Sequence, residues 1–175
     1  KRLKTELCAY SVEACRVAAR LGVNRVELCA SPAEGGVTPS LATIEQVAHI
    51  EGLDLSVMIR PRGGDFLYSD EEFSTMLRDI ELARKAGATG VVFGILTADG
   101  KVDVERTRQL VEASKGMETT FHRAVDMTED YEAAVEAIIE AGCNRILTSG
   151  SYDKAIDGID NIRRAVERSH GRIEI

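Results

Sequence analysis

The chain alternates between two patterns of apolar and polar positions. Short runs rich in valine, leucine and isoleucine predict buried strands, and longer runs with apolar residues every three or four positions predict amphipathic helices. Because strands and helices alternate strictly, the chain is expected to form a parallel sheet with right-handed crossovers. The predicted strands are Thr5–Ala9, Arg25–Ala30, Leu55–Arg60, Gly90–Leu96, Glu118–His122, Arg145–Thr148 and Arg172–Ile175. The predicted helices are Val12–Leu21, Leu41–Ile50, Ser69–Ala86, Val104–Ser114, Tyr131–Ala141 and Lys154–Ser169.

The first two predicted strands have nearly the same sequence, since Glu6-Leu-Cys-Ala9 on the first recurs as Glu27-Leu-Cys-Ala30 on the second. This near-repeat indicates that the fold is built from one strand–helix unit that repeats. About seven strands and six helices, with no GxGxxG after the first strand, favour an α/β fold of the (β/α)8 TIM-barrel type over a dinucleotide-binding sheet. A typical barrel of this type has about 250 residues, whereas this chain has 175. We therefore expect residues 1–175 to form a single (β/α) barrel domain that is incomplete and lacks the last helix–strand–helix portion.

Composition and charge narrow the possible partners. Hydrophobic residues make up 44% of the chain and charged residues 29%, which is ordinary for a soluble globular protein. The net charge of −7 disfavours nucleic acid and anionic membranes as partners, and no apolar run approaches the roughly 18 to 20 residues of a membrane span. With no secretion signal and four cysteines outside CxxC spacing, we expect free thiols and a cytoplasmic location. The exposed edge strands of an incomplete barrel would favour a homo-oligomer, most simply a dimer.

Two glutamate–cysteine pairs offer the first candidate chemistry. Side chains alternate along a strand, so Glu6 shares a face with Cys8, and Glu27 shares a face with Cys29. We expect that face to point into the barrel. Thiolates of Cys8 and Cys29 on adjacent strands would suit Cu(I), which prefers sulfur ligands, although the layering of barrel side chains could stagger the two sulfurs. The alternative is that both cysteines are small core residues, because free cysteine packs as a hydrophobe.

An arginine-rich turn offers the second candidate chemistry. Met58-Ile-Arg-Pro-Arg-Gly-Gly-Asp65 leaves a buried strand, where two guanidinium groups are costly unless something anionic meets them. Together with the turns Gly35-Gly36 and Ser149-Gly-Ser151, it predicts a pocket for a small carboxylate or phosphate. Two alternatives remain: plain turn chemistry at the glycines, and an internal ion-pair network in which Arg60 keeps the glutamates ionised. The residues predicted to bind a substrate are Glu6, Arg60, Arg62, Arg123 and Ser149.

A catalytic pocket would also need a group that moves a proton. His122, at the end of the fifth predicted strand, is the best base candidate, and Asp126 lies near enough in sequence to orient it. Glu27 is a further candidate, because a buried glutamate without a countercharge has a raised pKa. For an enzyme, the candidate catalytic residues are therefore His122, Glu27 and Asp126.

Five motifs, in order along the whole chain, resemble the CutC family of copper homeostasis proteins. The resemblance implies a cytoplasmic (β/α)8 barrel, a role in copper homeostasis, and a Cu(I) site at Cys8 and Cys29. The same motifs contain more arginine, glutamate, histidine and aspartate than a copper carrier needs. The motifs are Glu27-Leu-Cys29, Glu34-Gly-Gly-x-Thr-Pro-Ser40, Met58-Ile-Arg-Pro-Arg-Gly-Gly-Asp-Phe-x-Tyr68, Thr120-Phe-His-Arg-Ala-x-Asp126 and Leu147-Thr-Ser-Gly150.

Three functions therefore stay open on the sequence. The first is a cytoplasmic copper homeostasis protein that binds Cu(I) through Cys8 and Cys29, with the copper ion as cofactor and partner. The second is a TIM-barrel enzyme of unknown specificity, acting on a small anionic substrate bound by Arg60 and Arg62. The third is a structural or regulatory barrel whose pocket has no activity.

Overall fold

The computed structural model describes residues 3–175 and confirms the alternation of strands and helices, with six strands and six α-helices in that range. The strands are β1 (Glu6–Ala9), β2 (Arg25–Leu28), β3 (Asp54–Met58), β4 (Gly90–Phe93), β5 (Glu118–Phe121) and β6 (Arg145–Ile146). The helices are α1 (Val12–Arg20), α2 (Leu41–Ala48), α3 (Asp70–Ala86), α4 (Val104–Ala113), α5 (Tyr131–Ala141) and α6 (Ile159–Ser169). Short 3-10 helices lie at Pro32–Glu34 and Arg123–Met127. None of the helices in this part of the chain has the length and apolar character that crossing a membrane requires.

The strands form one sheet in the order β1-β2-β3-β4-β5-β6, so each strand lies beside its neighbours in the sequence. The pairs β1–β2, β2–β3, β3–β4 and β5–β6 are parallel. This is the strand order of a (β/α)8 barrel, and the predicted fold class, an α/β protein of incomplete TIM-barrel type, is confirmed. The predicted seventh strand is represented by a single parallel bridge between Glu174 and Arg145.

Several predicted elements are longer than the observed ones, because residues at their ends bond to loops or form turns. The third predicted strand ends at Met58, since the backbone N–H of Arg60 donates instead to Thr38 Oγ1 at 2.8 Å. The last helix begins at Ile159, because residues 154–158 form turns closed by hydrogen bonds between residues three apart. Residues predicted to extend these elements therefore bond to loops or form turns instead.

The chain divides into two compact units. The first comprises residues 3–64, together with Asp70–Val92 and Ser114–Glu118. Both faces of β2 are buried, as expected for a strand inside a parallel sheet. The core of this unit combines strand residues with residues of α2 and α3. Its most deeply buried apolar side chains include Val26, Leu28, Val47, Leu55, Val57, Met76 and Ile80.

The second unit comprises Asp65–Ser69, Phe93–Ala113 and Thr119–Ile175. Its core is built from the ends of β4 and β5 and from the inner faces of α4 and α5. The apolar stripe of α5 has the helical spacing that the sequence predicts, with Tyr131, Ala134, Val135 and Ile138 buried. Other buried side chains of this unit are Phe93, Ile95, Leu110 and Phe121.

A glycine and a side-chain hydrogen bond recur together before β2, β4 and β6. The preceding helices are followed by Gly22, Gly87 and Gly142, whose φ angles of 74°, 103° and 92° suit glycine. Two residues later, a polar side chain accepts a hydrogen bond from a backbone N–H near the start of the previous strand. The pairs are Asn24 with Thr5, Thr89 with Leu55, and Asn144 with Thr119, at 2.9, 2.8 and 2.8 Å. Each of these hydrogen bonds thus joins the starts of two neighbouring strands: β1 and β2, β3 and β4, or β5 and β6.

An internal ion pair holds the amino-terminal ends of β1 and β2 together. Arg25 is only 7% exposed, and its guanidinium pairs with Glu6 and, at 3.4 Å, with Glu118. This corrects one expectation, because the countercharge of Glu6 is Arg25 rather than Arg60. Substrate binding by Glu6 stays a prediction, but the residue already has a structural partner at the start of its strand.

Replacing Arg25 with methionine should lower the free energy of unfolding by about 2–4 kcal/mol, because it leaves the Glu6 carboxylate without its buried cation. Urea unfolding followed by circular dichroism measures the change. Glu118→Gln is the matched control: this side chain is half exposed, so its loss should cost less than about 1 kcal/mol. An R25M protein as stable as the wild type would contradict the structural role of the ion pair.

Candidate functional site

The two predicted copper ligands come together in the first unit. Cys8 of β1 lies level with Glu27 of β2, and Cys29 follows on the same face, just after β2. The Cys8 and Cys29 Sγ atoms, called the sulfur pair below, are 3.9 Å apart. Cys29 Sγ is also 3.6 Å from Glu27 Oε1, and the ligand atoms of these three residues all lie within 4.8 Å of one another. Side chains of neighbouring barrel strands can lie in different layers, but here the two sulfurs are not separated in that way.

The sulfur pair is buried on one side and open on the other. Cys29 is 2% exposed and packs with Met58 and Val92, whereas Cys8 is exposed. Glu27 is 6% exposed, and its Oε2 atom has no hydrogen-bond partner among residues 3–175. A buried carboxylate oxygen without a hydrogen-bond partner is costly to ionise, which favours the neutral form of Glu27.

The protonation of the cluster follows from its burial and its hydrogen bonds. Burial, helped by the nearby charges of Cys8 and Glu6, raises the pKa of Glu27 to about 8. A hydrogen bond from the Cys29 thiol, with a further one from the Tyr10 hydroxyl, lowers the pKa of Cys8 to about 6. The pKa of Cys29 is raised, because its proton bridges to Cys8 and its surroundings are apolar. These shifts favour the thiolate form of Cys8, the thiol form of Cys29 and the neutral form of the Glu27 carboxyl group.

A glycine loop covers Cys29. Gly36 has a φ of 98°, and a Cβ atom there would lie 3.1 Å from Cys29 Sγ and 3.8 Å from the Tyr10 hydroxyl. Anion binding by the Gly35-Gly36 turn stays a prediction, and the structure places Gly36 against the Cys29 sulfur. Tyr10 was not among the candidates, although its position two residues after Cys8, on the same face, was an available signal.

The donor set fits a soft monovalent ion. Two sulfurs 3.9 Å apart are closer than twice a metal–sulfur bond of about 2.3 Å, so both can contact one ion without moving apart. Thiolates select soft ions such as Cu(I). Binding of a metal by Cys8 and Cys29 stays a prediction that this geometry permits.

The two predicted anion-binding arginines are engaged inside the first unit. Arg60 is 7% exposed and donates to the backbone carbonyls of Glu34, Gly36 and Gly64 at 2.7, 3.0 and 2.8 Å. Arg62 forms a two-point ion pair with Glu72, at 2.6 and 3.3 Å. Anion binding by Arg60 and Arg62 stays a prediction, and an incoming anion would have to compete with these contacts.

A second polar cluster, in the second unit, brings two predicted residues, Arg123 and Ser149, to the buried carboxylate of a third, Asp126. Asp126 accepts hydrogen bonds from Thr148 Oγ1 at 2.6 Å, from the N–H and Oγ of Ser149 at 2.9 Å each, and from the N–H of Ser151 at 3.0 Å. Arg123 Nε lies 3.2 Å away. Burial opposes ionisation, but the hydrogen bonds outweigh it and lower the pKa of Asp126. The carboxylate therefore fixes the 148–151 loop.

His122, the predicted base, is oriented by the backbone. Its Nδ1 accepts from the N–H of Ala124 at 3.1 Å, while Asp126 serves the 148–151 loop. Orientation of the ring by Asp126 therefore stays a prediction, and the hydrogen bond described here for the ring is with the backbone N–H of Ala124. The imidazole lies against Gly94, where a Cβ atom would come within 2.4 Å of it, and its centroid is 5.0 Å from that of Phe66. A catalytic role for these two residues stays a prediction.

Comparisons with known proteins agree on one family. The sequence model of the CutC family matches residues 3–175. A family protein CutC of Bacteroides fragilis is 53% identical over 171 residues, which are 97% of this chain and 68% of that protein. The human copper homeostasis protein cutC homolog is 45% identical over 170 residues, 97% of this chain and 62% of that protein.

Solved structures agree with the fold. The CutC crystal structure from Streptococcus agalactiae has a TM-score of 0.92 at 36% identity, covering 99% of this chain and 86% of that one. An aldolase and a 2,3-dimethylmalate lyase have TM-scores of 0.69 and 0.68, each at 16% identity. At that identity the last two likenesses concern the fold alone.

The rate of Cys8 alkylation by iodoacetamide, followed by peptide mass spectrometry, should titrate with a midpoint of about pH 6. Cys29→Ala should move the midpoint towards the ordinary thiol value, because the variant lacks the thiol that donates to Cys8. Cys15→Ala, which removes a thiol from α1, is the matched control and should leave the midpoint unchanged. A wild-type midpoint near 9 would contradict the shared proton.

The stabilising effect of Asp126 should depend on pH. Its folded-state pKa is lowered, so its contribution is present above the unfolded value of about 4 and is lost as the pH falls through the folded value. Asp126→Asn should destabilise the protein by about 1–3 kcal/mol at pH 7, with a difference that shrinks in acid. Urea unfolding at several pH values measures this. Asp160→Asn, at a side chain that is 79% exposed, is the control; a constant difference for Asp126→Asn would contradict the assignment.

Proposed function

The chain belongs to the CutC family, and on that premise we propose that it is a cytoplasmic copper homeostasis protein that binds Cu(I) through Cys8 and Cys29. The observation that carries the proposal is the sulfur pair itself, with 3.9 Å between its two Sγ atoms. Its chemistry is that of a soft-ion site, and its open side at Cys8 gives an ion a way in. The whole protein's role in the cell is part of the proposal.

The charge of the cluster suits a monovalent ion. One thiolate and one thiol carry a charge of −1, and Cu(I) held by two thiolates also carries −1. Cu(I) can thus replace the Cys29 proton without changing the net charge of a largely buried site, which avoids a large electrostatic cost. Zn²⁺ usually takes about four nitrogen, sulfur or oxygen ligands in structural sites, and the sulfur pair with a protonated Glu27 offers fewer.

The alternative, a TIM-barrel enzyme acting on a small anionic substrate, has less support. It assigns the anion to Arg60 and Arg62, and these guanidinium groups already contact backbone carbonyls and Glu72. Catalysis would also assign proton transfer to His122, whose Nδ1 accepts from the backbone. An enzyme of this kind would have to replace these existing contacts, whereas the sulfur pair can bind Cu(I) without losing a comparable contact.

The predictions about other partners also remain part of the proposal. The net charge of −7 makes nucleic acid and anionic membranes unfavourable partners. Homo-oligomer formation, most simply as a dimer, is a further expectation within the proposal. The ion proposed here does not depend on that assembly, because both of its ligands come from one chain.

Titration of the reduced protein with Cu(I), in competition with a chromogenic Cu(I) chelator, should give one site per chain. The Cys8→Ala/Cys29→Ala variant should bind more weakly by on the order of 100-fold or more, about 2.8 kcal/mol. Cys15→Ala/Cys143→Ala removes the same number of thiols elsewhere and is the matched control, with wild-type affinity expected. Equal affinity in the wild type and in the Cys8→Ala/Cys29→Ala variant would reject the site.

A further inference from the structure

Arg60 bridges two loops of the first unit. One guanidinium nitrogen, Nη1, donates to the carbonyls of Glu34 and Gly36, and the other, Nη2, donates to the carbonyl of Gly64. The side chain thus joins the glycine loop around residues 34–36, called the 34–36 loop below, to the arginine turn. Arg60 is only 7% exposed, and its guanidinium donates to three backbone carbonyls. We infer from these contacts that it stabilises the structure here.

Further hydrogen bonds fasten the same loop at both ends. Glu34 Oε2 accepts from the N–H of Gly63 at 3.1 Å. The N–H of Thr38 donates to the carbonyl of Arg60 at 2.9 Å, and Thr38 Oγ1 accepts from the N–H of Arg60 at 2.8 Å. The loop is therefore held to the arginine turn before, at and after Gly36.

The loop held in this way covers one sulfur and leaves the other open. Gly36 approaches Cys29 so closely that an added Cβ atom would lie 3.1 Å from its Sγ and 3.2 Å from its Cβ. Cys29 is 2% exposed, while Cys8 is exposed. The difference in access between two sulfurs 3.9 Å apart thus coincides with the position of the 34–36 loop.

We propose that Arg60 is a positioning residue for the sulfur pair: it holds the 34–36 loop closed over Cys29, so that ions and reagents reach the pair through Cys8. The positioning role stands on the contacts of Arg60, whereas its consequence for copper rests on the proposed function. Lysine cannot replace Arg60 here. Its single ammonium nitrogen cannot reach all three carbonyls, which are bound by two different nitrogens of the guanidinium group.

For copper, the loop sets an order of events. Cu(I) delivered as a bis-thiolate complex of a small thiol first meets Cys8, whose thiolate takes the place of one carrier thiolate. Cys29 then replaces the second carrier sulfur, and its proton leaves with that sulfur as a thiol. Two copper–sulfur bonds form and two break, and the copper stays Cu(I) throughout. The second exchange requires the 34–36 loop to admit the complex, so Arg60 controls that step.

Alkylation kinetics test the positioning role without copper. In a Cys8→Ala background, the rate constant for iodoacetamide modification of Cys29 is measured by peptide mass spectrometry with Arg60 retained and with Arg60→Lys. We expect Arg60→Lys to raise the Cys29 rate by about tenfold or more, because the loop opens more often. The buried thiols of Cys15 and Cys143 are internal references and should keep their rates.

The control is Arg106→Lys, which removes another guanidinium-to-carbonyl bond, to Tyr68 at 2.8 Å. It should leave the Cys29 rate unchanged. An unchanged Cys29 rate in Arg60→Lys would overturn the proposal, and so would an equal rise at Cys15 and Cys143, because that would report general loosening.

The copper consequence is tested separately with the cysteines intact. The rate of Cu(I) transfer from the glutathione complex to the protein should show a second, slower phase that Arg60→Lys accelerates by about tenfold or more. Wild-type protein that takes up no Cu(I) would reject the proposed function, while the alkylation rates would still decide the role of Arg60. Cu(I) uptake with an unaltered second phase in Arg60→Lys would overturn the ordered transfer.

Discussion

The parallel register of β1 and β2 is the constraint on which the candidate site depends. Because Cys8 lies level with Glu27, the sulfur of Cys29 arrives beside both groups, and all three ligand atoms fall within 4.8 Å of one another. A shift of one residue would turn Cys8 to the opposite face and separate the sulfurs. The register is held at the other end of the strands, by the hydrogen bond of Asn24 and the ion pair of Arg25.

Two buried charges shape loops in the same physical way, one in each unit. In the first unit, the Arg60 guanidinium is surrounded by carbonyl oxygens and holds the 34–36 loop. In the second unit, the Asp126 carboxylate is surrounded by N–H and O–H donors and holds the 148–151 loop. In both, backbone dipoles stabilise a charge taken out of water, so neither group requires an external counter-ion.

The sequence allowed the order of elements, the fold class and the pairing of Cys8 with Cys29 to be predicted. Each of these depends on local periodicity, on alternation along a strand, or on a shared motif. The role of Arg60 and the partner of His122 could not be predicted, because their contacts are with backbone groups whose positions only the folded loops define. From the sequence, the charge of Arg60 predicted a bound anion, and the short distance along the chain predicted that Asp126 orients His122.

X-ray absorption at the copper K edge of the Cu(I)-loaded protein tests the central claim most directly, because it reports the atoms bound to the metal. The account predicts a first shell of sulfur only, with two sulfur neighbours per copper supplied by Cys8 and Cys29. A shell dominated by nitrogen or oxygen, of the kind that His49, His122 or His170 would supply, would contradict it.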